Sequence, residues 1–185
     1  MKLMFASDIH GSAAYCEKAL QKFNEEKADR LILLGDILYH GPRNPLPEQY
    51  DPQAVARMLN GIKERILCVR GNCDSEVDQM MLDFPIMADC ALLFLDGKTV
   101  FVTHGHVYNE QKPPKLGAGN IVIHGHTHVS GIWQNGGLMY INPGSVALPK
   151  ENTPHSYMIY EDGAFKIRDF EGKTLCRVKS GERMN

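Results

Sequence analysis

The chain has 185 residues and a formal charge of -2, with a sequence pI near 6.4. That length suits one hydrophobic core and is too short for two full domains, so a single domain over residues 1–185 is expected. No basic surplus is present to hold a polyphosphate backbone, which argues against a dedicated nucleic-acid binder and leaves room for a small phosphorylated substrate.

In chain order, Lys2 to Ala6 reads as a strand that closes on Asp8-Ile9-His10. Ser12 then caps a helix from Ala13 to about Lys27, with Cys16, Ala19, Leu20 and Phe23 at helical spacing. The apolar run Leu31 to Leu34 ends at Gly35-Asp36, and Tyr39 to Tyr50, with three prolines, reads as a loop. Asp51-Pro52 opens a second helix whose inner face is Val55, Met58, Leu59 and Ile62. The run Ile66 to Val69 closes on Gly71-Asn72-Cys73-Asp74, and Ser75 opens a shorter helix through Met81.

From Ala91 the pattern changes to strands joined by turns. Asp96-Gly97, Asn135-Gly136-Gly137, Asp162-Gly163 and Glu171-Gly172 are hairpin signals. Val100 to Val102 leads into Thr103-His104-Gly105-His106, and Ile121 to Ile123 into His124-Gly125-His126-Thr127-His128. Between them, Lys112 to Gly119 reads as a loop, and the strand Leu138 to Ile141 ends at Asn142-Pro143-Gly144-Ser145. A βαβαβ start followed by a β-rich half predicts mixed sheets packed on each other with helices outside. Trp133, Tyr157, Tyr160, Met80 and Met81 are expected in core or edge packing.

Five short polar strings therefore close five apolar runs, and they contain six of the eight histidines. In an α/β sheet the crevice beyond the carboxyl ends of the strands is where ligands bind, so the five tips should converge. Asp8-x-His10 and His126-x-His128 each place two donors on one tight turn. Either pair alone is weak; both pairs, with Gly-Asp, Gly-Asn and Thr-His-Gly-His in order, point to a metal site.

The order Asp8-x-His10, Gly35-Asp36 followed by Gly41, Gly71-Asn72-x-Asp74, His104 and Gly125-His126-x-His128 resembles the calcineurin-like metallophosphoesterase superfamily. The strings from His40 to Asn44, from Val69 to Met80 and from Asn142 to Ser145 resemble its small bacterial phosphodiesterases. The resemblance implies a four-layer αββα sandwich of two mixed β-sheets with flanking helices. It also implies two divalent ions: Asp8, His10, Asp36 and His128 would hold one, and Asp36, Asn72, His104 and His126 the other, with Asp36 shared. Imidazole and oxygen ligands without thiolate suit Mn, Fe, Co, Ni or Zn, and the resemblance favours manganese. Two such ions about 3.5–4 Å apart would generate a bridging hydroxide for in-line attack on a small phosphodiester.

Many members of the superfamily carry His where this chain has Cys73. A thiol with a pKa near 8.5 is a poor general acid, so esters with good leaving groups, such as aryl diesters, are expected as substrates. Asn72, Cys73, Asp74 and His106 are the candidate catalytic residues. Asp74 is expected to orient a neighbour, and His106 to act as an acid or as a partner of a ligating histidine. His124 is expected as a satisfied buried histidine, and Arg43 as a phosphate contact or a loop anchor. Ser145 has no base at a recognisable spacing and is not expected as a nucleophile.

A phosphomonoesterase and a nuclease are alternatives on the same core. A non-catalytic interaction scaffold is less favoured, since all seven ligand positions keep competent side chains. The five cysteines contain no Cys-x-x-Cys pair and read as free thiols in a reducing compartment. Without a signal-peptide pattern or a membrane span, a cytoplasmic location is expected, with no membrane partner and no stable nucleic-acid partner. The β-rich half offers edge strands for a homo-oligomer.

Overall fold

A computed structural model describes residues 1–182. In chain order its elements are β1 (Leu3–Ala6), α1 (Ala13–Glu25), β2 (Arg30–Leu33), α2 (Pro52–Asn60), β3 (Ile66–Cys68), α3 (Glu76–Met81), β4 (Cys90–Leu95), β5 (Lys98–Thr103), β6 (Ile121–Ile123), β7 (Gly131–Asn135), β8 (Leu138–Asn142), β9 (Ser156–Glu161), β10 (Ala164–Asp169) and β11 (Thr174–Lys179).

Alternation along β1 sets the layers. Met4 and Ala6 join Cys16, Ala19 and Phe23 of α1 and Val55 and Leu59 of α2 in one apolar cluster. Leu3 and Phe5 face the other way, packing with Val100, Val102, Ile121, Ile123 and Ile141 of β5, β6 and β8. A strand buried on both sides needs apolar residues at both parities, which is why β1, β2 and β6 read as continuous runs rather than alternating ones.

The first sheet has the order β11-β10-β9-β1-β2-β3 and the second β4-β5-β6-β8-β7. Both are mixed. The neighbours β1, β2 and β3 run parallel while β9, β10 and β11 are antiparallel. In the second sheet β5, β6 and β8 are parallel, with antiparallel β4 and β7 at the edges. The Asp96-Gly97 and Asp162-Gly163 turns both place their two residues at φ of 50° and 72°, and Gly136-Gly137 at 59° and 81°. Paired positive φ values match the strand twist of a two-residue hairpin, so these three turn signals were sufficient in themselves.

The helix starts follow the capping signals. Ser12 Oγ accepts from the Tyr15 N–H, the Asp51 carboxylate accepts from the Ala54 N–H ahead of α2, and Ser75 with Asp78 forms a capping box on α3. Helix α1 ends two residues short of Lys27, which takes a left-handed φ of 52°, while the Ala28 N–H donates to the Phe23 carbonyl. That cap turns the chain into β2.

The two faces of the sandwich are covered differently, and one expectation, for Met80 and Met81, is corrected. The outer face of the second sheet carries no helix among the described residues: Phe101, Val122, Leu138 and Tyr140 are covered by Tyr108 and Leu116 of the loop that follows β5. Helices α1 and α2 therefore flank the first sheet, and a loop covers the outer face of the second. Met80 and Met81 are not in the core but are 85% and 41% exposed. The six-residue α3 buries nothing, and Leu82, Phe84 and Ile86 after it make the apolar contacts instead.

Candidate metal centre

The tips of β1, β2, β3, β5 and β6 meet at one end of the sandwich, so both sheets contribute to the site. Backbone bonds tie them together: the Asp8 N–H donates to the Gly35 carbonyl, the His10 N–H to the Asp36 carbonyl, and the Gly125 N–H to the His104 carbonyl. Asp8, His10, Asp36, His126 and His128 all have φ between 50° and 67°, in the left-handed region. Such a backbone turns side chains of neighbouring strand ends back toward a common point.

Around that point, His128 Nε2 lies 3.3 Å from Asp8 Oδ1 and 3.3 Å from His10 Nε2. His10 Nε2 is 3.6 Å from Asp36 Oδ2, and the same carboxylate oxygen is 3.4 Å from His104 Nε2. His104 Nε2 in turn lies 3.1 Å from Asn72 Oδ1 and 3.2 Å from His126 Nδ1. The seven donors thus form two groups joined at Asp36. Asp8, His10, Asp36 and His104 are fully or almost fully buried, and so is His128.

Hydrogen bonds on the far side of the rings fix what faces inward. His10 Nδ1 donates to the Tyr39 carbonyl at 2.9 Å, His104 Nδ1 to the Leu34 carbonyl at 2.7 Å, and His128 Nδ1 to the Leu148 carbonyl at 2.6 Å. With the proton on Nδ1, a neutral imidazole presents the Nε2 lone pair. Two lone pairs of His10 and His128 then face each other beside Asp8 Oδ1, a buried atom with no hydrogen-bond partner. Acceptors packed this way repel unless a cation lies among them. Ligands about 2.0–2.1 Å from a first-row metal stand about 3.0–3.4 Å apart around it, close to the spacings here. The donor set fits divalent metal.

Electrostatics agree with that reading. Burial would raise the Asp8 carboxyl, yet the nearby rings of His128, His104 and His10 hold it well below the usual carboxylate range. Asp36 is also lowered, against burial, by its bond with His104. Burial alone would lower His104, but Asp36 and Asp8 push it up to about 9. Burial and the charge of His104 bring His126 down to about 4.

The four candidate catalytic residues take different places. Asn72 has its Oδ1 3.1 Å from His104 Nε2. Cys73 lies half-buried beside it; burial and then Asp36 push its thiol up to about 12, so it stands as a neutral thiol. The Cys73 N–H holds Asp36 Oδ1 at 2.8 Å, which turns the other carboxylate oxygen toward both histidines. Asp74 holds its neighbours in place: its carboxylate accepts from the N–H groups of Gly71, Asp36 and Ile37 at 2.7, 2.9 and 2.8 Å. His106 is not a hydrogen-bond partner of His10, His104 or His128, whose Nδ1 atoms meet the Tyr39, Leu34 and Leu148 carbonyls. Its ring lies 5.3 Å from that of His104, and its buried Nδ1 has no partner.

His124 is buried but not fully satisfied: Nδ1 meets the Gly125 carbonyl while Nε2 has no partner against the Trp133 and Tyr140 rings. Ser145 is structural, its hydroxyl donating to the Asp8 carbonyl and accepting from the Leu148 N–H. Arg43 and Lys150 line the cleft of about 380 Å³ above the ligands, with Asp36, Asn72, His126 and His128.

Several supporting residues escaped the sequence reading. Ser7 Oγ donates to Asp8 Oδ2 at 2.6 Å. Asn142 Nδ2 donates to both the Gly125 carbonyl and Thr127 Oγ1 at 2.9 Å, pinning the loop that carries His126 and His128. The Asn142 motif was visible, but its target was not. Glycine is required where loops touch: a Cβ on Gly71 would stand 2.0 Å from Asp36 Oδ1, and one on Gly125 would stand 1.8 Å from Ser7 Oγ.

A family model of the calcineurin-like phosphoesterase superfamily domain matches residues 1–162. The chain belongs to that superfamily. Within it, the chain is 46% identical over 167 residues to phosphodiesterase YfcE of Escherichia coli strain K12, covering 90% of this chain and 91% of the relative. It is 30% identical over 184 residues to the probable metallophosphoesterase YsnB of Bacillus subtilis strain 168, covering 92% and 91% respectively. The solved structure of the E. coli phosphoesterase YfcE superposes with a TM-score of 0.94 at 42% identity, over 97% of this chain and 99% of that one. The two mixed sheets are thus those of this superfamily.

Proposed function

We propose that the protein is a metal-dependent phosphodiesterase acting on small phosphodiesters. The observation that carries this reading is Asp36 Oδ2, which lies 3.6 Å from His10 Nε2 and 3.4 Å from His104 Nε2, where one carboxylate serves two ligand groups. A relative covering nine-tenths of the chain is named a phosphodiesterase, which supports the choice of diester.

On this reading Asp8, His10, Asp36 and His128 hold one ion, and Asp36, Asn72, His104 and His126 the other. Manganese is the proposed metal, with Fe, Zn, Ni and Co compatible with the same donors. Two bound ions supply an acidified water as nucleophile and a clamp on the phosphoryl oxygens. The protein's own part is placement. Tyr39, Leu34 and Leu148 carbonyls hold the rings of His10, His104 and His128, Ser7 and Cys73 orient the two carboxylates, and Asp74 and Asn142 fix the loops.

Cys73, the neighbour of Asn72, is a poor proton donor to a departing alkoxide, because burial and Asp36 hold its thiol protonated. The favoured substrates are diesters whose leaving group departs as a stable anion. The deciding experiment strips metal with a chelator, adds Mn²⁺ back, and compares bis(p-nitrophenyl) phosphate, p-nitrophenyl phosphate and linear DNA. Loss and recovery of the diester reaction, with slower cleavage of the other two, is expected. Full activity in metal-stripped protein, or faster monoester cleavage, would overturn the proposal.

A further inference from the structure

A diesterase differs from a monoesterase in having to accommodate a second substituent on phosphorus, and the metal cleft is not the only space at Asn72. A second groove of about 640 Å³ runs between the loop after β2 and helix α3, lined by Tyr39, Pro42, Tyr50, Pro52 and Val77. It shares Asn72, Cys73, Pro42 and Arg43 with the metal cleft, so the two are continuous at the reacting centre.

Its lining is mixed, with the apolar side chains set beside Arg43, Asp74, Ser75 and Asp78. Tyr39 is 42% and Val77 69% exposed, although both are large hydrophobic side chains on a protein that buries most of its others. The acids on its floor are already engaged: Asp74 by three backbone N–H groups, and Asp78 by the Ser75 N–H and hydroxyl. The rings of Tyr39 and Tyr50 flank that of His40, edge-on at 4.9 and 5.2 Å, which fixes the loop side of the groove. A groove that opens onto a reaction centre and exposes large apolar side chains beside engaged polar groups is ground for a ligand rather than for solvent.

We infer that this groove receives the substituent of the diester that stays on phosphorus, and that it selects a flat apolar or aromatic group through Tyr39 and Val77. The inference rests on the phosphodiesterase reading and adds the substrate class to it. In the reaction, the oxygen of water forms the new P–O bond, the bond to the leaving aryl oxide breaks, and the grooved substituent remains on the phosphomonoester product.

The test uses the Mn²⁺-loaded protein and two diesters with the same leaving group, benzyl p-nitrophenyl phosphate and methyl p-nitrophenyl phosphate. The ratio of their kcat/KM values should exceed about tenfold in favour of benzyl, carried by KM, as expected for partial burial of one ring. In Tyr39→Ala and Val77→Ser the ratio should fall to about twofold or less. Both side chains are exposed, so the variants should fold, and melting curves check this. A wild-type ratio near one, or variants that keep the wild-type ratio while folded, overturns the inference and leaves the diesterase reading standing. If wild-type protein cleaves neither diester with Mn²⁺, the underlying reading fails and the inference with it.

Discussion

At the scale of single residues, the donor set makes definite demands. Asp36→Asn keeps the shape of the shared ligand and removes its charge. It should lower bound metal from about two ions per chain to fewer than one and reduce diesterase activity at least about a thousandfold, since metal stabilisation of transition-state charge is worth several kcal/mol. Elemental analysis alongside kinetics reads both. Cys73→Ala, by contrast, should stay within about threefold of wild type, because a working general acid contributes about a hundredfold or more. A hundredfold loss with intact metal content would make Cys73 catalytic. His104 supplies a pH prediction. Asp36 and Asp8 keep its proton on up to about pH 9 in the metal-free protein, whereas a ligating Nε2 must be bare. Metal binding at pH 7 should therefore release about one proton from this residue, and apparent affinity should rise with pH until about 9. Calorimetry in two buffers of different ionisation enthalpy measures this, and zero proton release would contradict it.

At the scale of elements, the site depends on how closely strand ends approach. A Cβ on Gly71 would meet the Asp36 carboxylate and the Asp36 N–H nitrogen at 2.0 and 2.3 Å. Gly71→Ala should thus displace the bridging carboxylate and abolish metal retention, read by equilibrium dialysis; normal retention would show that the β2 and β3 tips can separate freely. Much of this was legible beforehand. Apolar runs ending in Gly-Asp, Gly-Asn and His-Gly-His mark buried strands with polar tips, and Asp96-Gly97 and Asp162-Gly163 dictate their turns by chemistry alone. What sequence could not show was how the tips are held. The Leu34, Tyr39 and Leu148 carbonyls that orient the rings have no signature in side-chain identity, because every residue carries the same carbonyl. Asp74 was expected to orient a neighbour, but that its carboxylate reaches the backbone N–H groups of Asp36 and Ile37 across the site could not be read. Met80 and Met81 look like core residues by composition, but a single short helix cannot bury every apolar side that a longer one would. Which residues cover the outer face of the second sheet could not be read either: Tyr108 and Leu116 do so from a loop, and loops leave no periodicity to read.

At the scale of the whole molecule, the apolar layer between the sheets is built without the metal ligands. Leu3, Phe5, Val100, Ile121 and Ile141 pack there whatever occupies the centre. Chelation should therefore abolish activity while leaving the far-ultraviolet circular dichroism unchanged. The melting temperature should fall by about 5–10 °C when an ion formerly present at about a hundred times its dissociation constant is withdrawn. A collapse of secondary structure on chelation would instead mean that the ions hold the sheets together. The left-handed backbone at Asp8, His10, Asp36, His126 and His128 bears on the history of such a chain. A non-glycine residue there costs about 1 kcal/mol, so five of them weigh against a total stability of about 5–15 kcal/mol. Glycine at each position would relieve the strain and erase a ligand. A lineage released from the need for metal would thus gain heat resistance by drifting toward glycine at the very tips that define its chemistry, and would persist as an inert sandwich.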